Sequence, residues 1–232
     1  MSKYLLHNIV ISFVLLLVLI IQVAESETIR KAPELDKTHT TINLRSSYSK
    51  LDRSQVYSMS NIAIREKHDK GFVGYSTINH SYEKESINGE IVVIDNATGL
   101  MWHQSGSDEY MDLVNAKQWI EKLNNKGYAG HNDWRLQTVE EAASLLESNI
   151  KNDGLKIDTV FSHKQEWIWT GDECEEFGHG FAWAVYFGTG VICSPSCSLF
   201  YARPVRLIIH NTQKFEQLYT EVSSISLRSS YN

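Results

Sequence analysis

Apolar and polar positions divide the chain into four regions. Residues 9–21 form an almost unbroken apolar run, whereas residues 27–88 are polar, with few large apolar side chains in register. From Gly89 onward, apolar positions recur with the spacing of strands and helices. The pattern predicts a targeting segment (1–26), a polar linker or extension (27–88), a folded domain (89–209) and a tail (210–232).

The folded region opens with a predicted hairpin. Glu90 to Asp95 contains the β-branched run Ile-Val-Val-Ile, typical of a strand. Asn96 to Gly99 has turn residues, and Leu100 to His103 has the character of a returning strand.

Two predicted helices follow the hairpin. Apolar side chains recur three and four positions apart from Leu113 to Leu123, and Gly127 stands where a helix C-cap belongs. Thr138 and Glu141 form a capping-box pattern ahead of a second helix. A further short helix is predicted in the extension, around residues 54–66.

Beyond Asn149 the pattern changes to strands. Their predicted ranges are Trp167–Thr170, Phe181–Phe187, Val191–Cys193 and Leu199–Ile209, with Gly188-Thr189-Gly190 as one of the turns. A hairpin, two helices and an antiparallel meander give an α+β fold class. The absence of a βαβ pattern argues against a dinucleotide-binding fold.

The apolar run near the N-terminus predicts export. Lys3 precedes it, and Ala24 and Ser26 supply the small residues that a signal peptidase accepts. The run is shorter than the roughly 20 residues of a bilayer span. A cleaved signal is therefore favoured over an uncleaved membrane anchor, and either one predicts a secreted, periplasmic or cell-envelope protein.

Composition narrows the function classes. With 22 Lys and Arg against 28 Asp and Glu, the net charge is −6. Nucleic-acid binding needs clustered basic residues and is not expected. Membrane contact is expected only through the N-terminal segment. Neither a nucleotide-binding motif nor a hydrolase motif is present, so the sequence predicts a non-enzymatic protein.

Cysteines and a short repeat are the remaining signals outside the apolar pattern. In an oxidising compartment, Cys174, Cys193 and Cys197 predict one disulfide and one free thiol, with the pairing left open. The five residues of Leu44–Tyr48 recur unchanged at Leu227–Tyr231. The repeat is explained either by coincidence or by a tandem unit that begins again.

Four motifs, in order along the chain, resemble the Lcl C-terminal domain family, long described as a domain of unknown function. They are Asp95-Asn96-Ala97-Thr98-Gly99-Leu100-Met101-Trp102, Asp133-Trp134-Arg135-Leu136-Gln137-Thr138, Trp167-Ile168-Trp169-Thr170 and Tyr201-Ala202-Arg203-Pro204-Val205-Arg206. Gln137 replaces the usual proline of the second motif. The resemblance implies a fold related to C-type-lectin-like domains, in exported bacterial proteins of which the namesake adhesins are linked to polysaccharide binding.

Most motif residues are predicted to be structural. They are Asp95, Thr98, Gly99, Trp102, Asp133, Trp134, Arg135, Arg203 and Arg206. Buried charges in folded domains are usually paired. We therefore expect a partly buried ion pair or backbone bracket at Asp133, with Arg203 and Arg206 as candidate partners of Asp133 or Asp95.

Two groups of residues are candidates for ligand contact. The acidic segment, expected to be a loop, contains Asp172, Glu173, Glu175 and Glu176 with His179 nearby. Its oxygen ligands suit Ca²⁺, but the EF-hand spacing is absent, so a solvated loop is favoured and no cofactor or metal is assigned. Trp167 and Trp169 share one face of their strand and are the candidates for stacking on sugar rings.

The sequence thus predicts an exported binding domain for glycan or surface protein, of the adhesion type. One alternative is an envelope enzyme or maturation factor that uses Cys193, Cys197 and the acidic segment. The other is a structural assembly module built on the repeat, and the sequence leaves self-association open.

Overall fold

The computed structural model describes residues 41–176, 181–194 and 199–208. The predicted targeting segment, residues 27–40 and the predicted tail lie outside these ranges. Within them, no helix has both the length and the apolar character needed to cross a membrane.

The described residues form ten strands and three α-helices. The strands are β1 (Lys50–Leu51), β2 (Ile62–His68), β3 (Gly71–Ser76), β4 (Tyr82–Ile87), β5 (Glu90–Asp95), β6 (Leu100–His103), β7 (Trp167–Cys174), β8 (Ala182–Tyr186), β9 (Val191–Cys193) and β10 (Val205–Leu207). The helices are α1 (Arg53–Tyr57), α2 (Leu113–Lys126) and α3 (Val139–Ser144). A 3₁₀ turn covers Tyr128–Gly130.

These strands build two sheets. The larger has the order β1-β7-β8-β9-β3-β2, and the smaller has the order β10-β6-β5-β4. Neighbouring strands are antiparallel except for β1 and β7, which run parallel. The chain is therefore a mostly-β fold with few helices, within the mixed α+β class that the sequence predicts.

The predicted hairpin and helix caps are confirmed. β5 pairs with β6 from Val92–His103 to Asp95–Leu100. Gly127 ends α2 in the left-handed conformation, with φ of 66°. Thr138 and Glu141 form the reciprocal capping box of α3.

The polar extension differs most from expectation, because its described part is folded. Residues 50–87 contribute β1 to β4 and α1, and the predicted 54–66 helix ends at Tyr57. Phe72 on β3 is fully buried. Gly71 has no side chain, so it contributes nothing to a hydrophobicity pattern that would reveal this strand. Glycine is needed there because a Cβ on Gly71 would lie 1.9 Å from the Ile192 carbonyl oxygen of the neighbouring β9.

Two hydrophobic clusters fill the interior. One packs α3 with Trp102, Trp183 and Phe72. The other packs α2 with Trp134 and Trp169. The last predicted strand, 199–209, is shorter than expected, because only Val205–Leu207 forms a ladder and Phe200 and Tyr201 make isolated bridges.

Candidate functional site

An open cleft of about 520 Å³ lies where α1, the β2–β3 turn and the end of β7 meet. Two of these elements are close in sequence, whereas the end of β7 is more than 100 residues further along the chain, so the cleft is a product of the tertiary fold. Its lining residues are Arg53, Ser54, Tyr57, Lys67, His68, Gly71 and Glu176.

Tyr57 supplies the aromatic surface of the cleft. Its side chain is 45% exposed, and its ring packs edge-on against buried Phe72, with 5.4 Å between the ring centroids. The helix that carries it begins with a capping box between Asp52 and Gln55. The ring is thus anchored on one edge and accessible to a ligand.

The polar rim of the cleft carries both signs of charge. Arg53 and Glu176 form an ion pair with 2.9 Å between Nη2 and Oε2, and both side chains stay partly exposed. Lys67 and His68 are exposed at the end of β2. An aromatic ring beside several hydrogen-bonding groups suits a polar ligand with an apolar face.

Asp172, the first residue of the predicted acidic loop, is a buried structural residue. It lies within β7, and its carboxylate is fully buried. It accepts hydrogen bonds from the Arg45 guanidinium, from Ser49 N at 2.8 Å and from Val139 N at 2.7 Å. These bonds occupy the oxygens that would coordinate a cation.

The remaining acidic residues divide between β7 and the cleft. Glu173 belongs to β7, Glu175 is exposed just beyond it, and Glu176 lines the cleft. His179 lies outside the described residues. Among those described, no group of three or more His, Cys, Asp and Glu side chains is placed to hold a metal ion.

Trp167 and Trp169 share one face of β7, and neither lines the cleft. Trp167 stacks between Tyr186 and Phe200, with centroid distances of 4.5 and 4.9 Å. Trp169 is 6% exposed, and its Nε1 donates to the Met111 carbonyl at 2.8 Å. A side chain buried to that extent offers no ring face to a sugar.

Asp95, at the start of the first motif, is paired with a residue that the sequence analysis did not consider. Its Oδ2 lies 2.7 Å from His80 Nδ1 and also accepts from the Thr98 hydroxyl. The other ring nitrogen of His80 lies 2.7 Å from the Ser144 carbonyl. Gly99 completes this turn with φ of +69°.

Arg206 is the partner of Asp133, one of the pairings that the sequence left open. Its Nε lies 2.7 Å from Asp133 Oδ1 and its Nη2 lies 3.2 Å from Oδ2. Partial burial raises the pKa of Asp133, but the hydrogen bond and charge of Arg206 outweigh this and lower it overall. Arg135 pairs instead with the fully buried Glu141 at 2.6 Å.

Arg203 has a different role from the one expected. It is fully buried and makes no ion pair with either aspartate; it donates to the carbonyl oxygens of Gln104 and Ser162. Trp102 and Trp134 are 0% and 2% exposed, in keeping with structural roles. The motif residues therefore hold strands and loops together.

Cys174 and Cys193 are both buried and free, so no disulfide joins them. Cys193 on β9 lies opposite Ala184 on β8, and Ala184 lies opposite Trp169 on β7. Cys174 is five residues beyond Trp169 on the same strand, so two strand spacings separate β7 from β9. Two strand spacings are roughly 9.5 Å, whereas bridged cysteines have Cα atoms less than about 7 Å apart. Cys197 lies outside the described residues.

Most of the cleft residues were missed by the sequence analysis. Of the lining side chains, only Glu176 was a candidate. The capping pattern Asp52 to Gln55, followed by an exposed tyrosine, was the available signal for the α1 side. The other side is a hairpin turn, hidden because the surrounding segment is polar.

The described structure is that of a mostly-β domain with structural ion pairs and an open cleft with a polar rim. The model of the Lcl C-terminal domain family matches residues 91–206, which is 116 of 232 residues and half of the chain. The chain therefore belongs to the Lcl C-terminal domain family. Comparison with curated proteins finds no match, and comparison with solved structures finds none.

Proposed function

We propose that the protein is an exported, non-catalytic binding domain of the cell envelope, which recognises glycan or a surface protein through the α1 cleft. The observation that carries the proposal is the exposed Tyr57 ring, fixed against Phe72 and surrounded by hydrogen-bonding groups. A fixed aromatic ring can cover the apolar face of a sugar at little cost in conformational entropy.

The rim of the cleft supports a ligand rich in hydroxyl groups. Arg53 and Glu176 hold one another in place and offer both donors and acceptors, and Lys67 and His68 also line the cleft. We also propose a relation of this fold to C-type-lectin-like domains, as the family resemblance implies. A solved structure of a ligand complex would test both points.

The catalytic alternative depends on a reactive thiol, and the buried position of Cys193 disfavours it. Burial raises the pKa of Cys193 to about 11. A thiol with such a pKa is protonated at neutral pH and is a poor nucleophile or metal ligand. Binding is therefore the function that the described residues support better.

A glycan array probed with the full chain tests the proposal. We expect Tyr57→Ala to weaken binding about tenfold, since an aromatic contact is worth roughly 1 kcal/mol or more. Tyr110→Ala is the matched control, because Tyr110 is 44% exposed but lies outside the cleft. Equal binding by both variants would place the ligand elsewhere. Parallel arrays with Ca²⁺ and with EDTA report any calcium requirement.

A surface-protein ligand is tested in the same way. If the array gives no signal, extracellular protein fractions can be passed over the immobilised chain and over its Tyr57→Ala variant. A partner retained by the chain and lost from the variant would support recognition through the cleft. Retention that is independent of Tyr57 would contradict it.

A further inference from the structure

The repeated segment is longer than five residues. Residues 40–49 (Thr-Thr-Ile-Asn-Leu-Arg-Ser-Ser-Tyr-Ser) and residues 223–232 (Ser-Ser-Ile-Ser-Leu-Arg-Ser-Ser-Tyr-Asn) align without a gap. Six positions are identical, and the other four are polar in both copies. The structure shows what the first copy does, and therefore what its duplicate is equipped to do.

Arg45 of the first copy is the partner of a buried carboxylate. Its two terminal nitrogens donate to the two oxygens of Asp172 at 2.8 and 2.6 Å. The Asp172 side chain is fully buried, whereas that of Arg45 is 27% exposed. A buried carboxylate that loses its cation is strongly destabilised, so the groove requires a guanidinium.

The groove also fits the backbone and the tyrosine of the first copy. The Thr138 hydroxyl donates to the Arg45 carbonyl at 2.8 Å, and the Tyr48 hydroxyl donates to the Leu136 carbonyl at 2.8 Å. The Tyr48 ring lies over Gly171, where a Cβ would come within 2.1 Å of it. We call this site, formed by Leu136, Thr138, Gly171 and Asp172, the Asp172 groove.

The side chains that fill the groove are those that the repeat preserves. Leu44 packs against the hydrophobic core, and Arg45 and Tyr48 make the polar contacts. Ser46 and Ser47 are exposed. The second copy carries Leu227, Arg228 and Tyr231 at the same spacing.

The first copy and the residue that follows β10 are held at the same turn of the fold. Ile42 N donates to the Ala97 carbonyl at 2.8 Å, and Ile208 N donates to the Gly99 carbonyl at 2.8 Å. Residues 209–224 therefore have only to close a loop between neighbouring points of one turn to bring Ile225 to the position of Ile42. The entropy cost of such a loop grows slowly with its length, and tethering gives an effective concentration on the order of millimolar.

We propose that residues 225–231 dock in the Asp172 groove of their own chain in place of residues 42–48. The two copies then compete for one site. Exchange would detach the first copy from the groove while Asp172 keeps a guanidinium partner, now that of Arg228. This inference is independent of ligand binding in the α1 cleft.

A cycle of arginine variants in the full chain tests the exchange. The variants are Arg45→Ala, Arg228→Ala and the double variant, each unfolded in urea. We expect Arg228→Ala to have little effect, because Arg45 holds the groove. Because Arg228 can replace Arg45, we expect the double variant to have an unfolding constant about a hundredfold higher than that of Arg45→Ala. Equal stability of the double variant and Arg45→Ala would overturn the proposal.

Photocrosslinking gives a second readout that does not depend on the double variant being folded. Benzoylphenylalanine replaces Tyr231 in the Arg45→Ala chain, and the crosslinked peptides are identified by mass spectrometry. Crosslinks within one chain to the peptide containing Gly171, reduced in a matched chain that keeps Arg45, would support the exchange. Crosslinks only between two chains would show that a second copy is the occupant and would overturn docking in the same chain, as would crosslinks away from the groove.

Discussion

Protonation of His103 is expected to be a main source of acid destabilisation. This residue lies at the end of β6, is 7% exposed and stacks on Tyr128 with 4.3 Å between ring centroids. Gly106 N donates to its Nδ1 at 2.9 Å, so the ring is neutral and its single hydrogen is on Nε2. Burial first, and the charge of Arg203 second, lower the pKa of His103 to about 4.

The size of the effect follows from this pKa. Above pH 6.5 the side chain is neutral in both the folded and the unfolded chain, and its contribution to stability is complete. As the pH falls, the unfolded chain binds the proton first, and the free energy of unfolding decreases until the folded side chain also titrates. A shift from 6.5 to about 4 corresponds to a loss of about 3 kcal/mol by pH 4.

Urea unfolding between pH 7 and pH 4 measures this loss. His103→Asn keeps a hydrogen-bond acceptor near the Gly106 amide and removes the titrating group. We expect the variant to be less stable at pH 7, because it loses the stack on Tyr128, but to lose about 3 kcal/mol less than the parent chain on acidification. Parallel pH profiles for the two proteins would refute the assignment.

Three further perturbations have defined outcomes. Gly71→Ala is expected to prevent folding or to cost more than about 4 kcal/mol, because its Cβ meets a backbone carbonyl at 1.9 Å; circular dichroism during urea unfolding measures this. Glu141→Gln should lower the free energy of unfolding by about 3 kcal/mol, since Arg135 loses a fully buried carboxylate partner, and a urea midpoint reports it. In a chain whose third cysteine is serine, Cys174 and Cys193 should resist alkylation until the protein unfolds, because both are buried; rapid labelling of the native chain would contradict this.

The hairpin, the caps of α2 and α3 and the ends of several strands could be predicted because each depends on local sequence. Gly127 ends a helix through its own left-handed conformation, and Thr138 and Glu141 are three residues apart. Such features need no knowledge of the rest of the fold. The pairing of Asp133 could be narrowed to two arginines by chemistry, and the structure selects Arg206.

The candidate site could not be predicted, because it depends on contacts between distant segments. Asp172 stands in an acidic segment, so the sequence alone predicts a solvated side chain. Only its approach to Arg45, 127 positions away, makes it the buried partner of a guanidinium. Trp169 is buried because the 111–200 bridge closes over its face of β7. The folded part of the polar extension was missed for a different reason: β2 and β3 form a local hairpin that packs through glycine and a few apolar residues.

The strand pairings also set the order in which the protein can form. β1 pairs with β7 through contacts such as Leu51 with Cys174, and β6 is paired by β10, which ends at Leu207. Arg203 connects loops at Gln104 and Ser162 only after most of the chain exists. Contacts of such long sequence separation make folding slow. The pairings of β1 with β7 and of β6 with β10 can therefore form only after the residues between them have been synthesised, and removal of β10 would leave β6 at an edge of the smaller sheet.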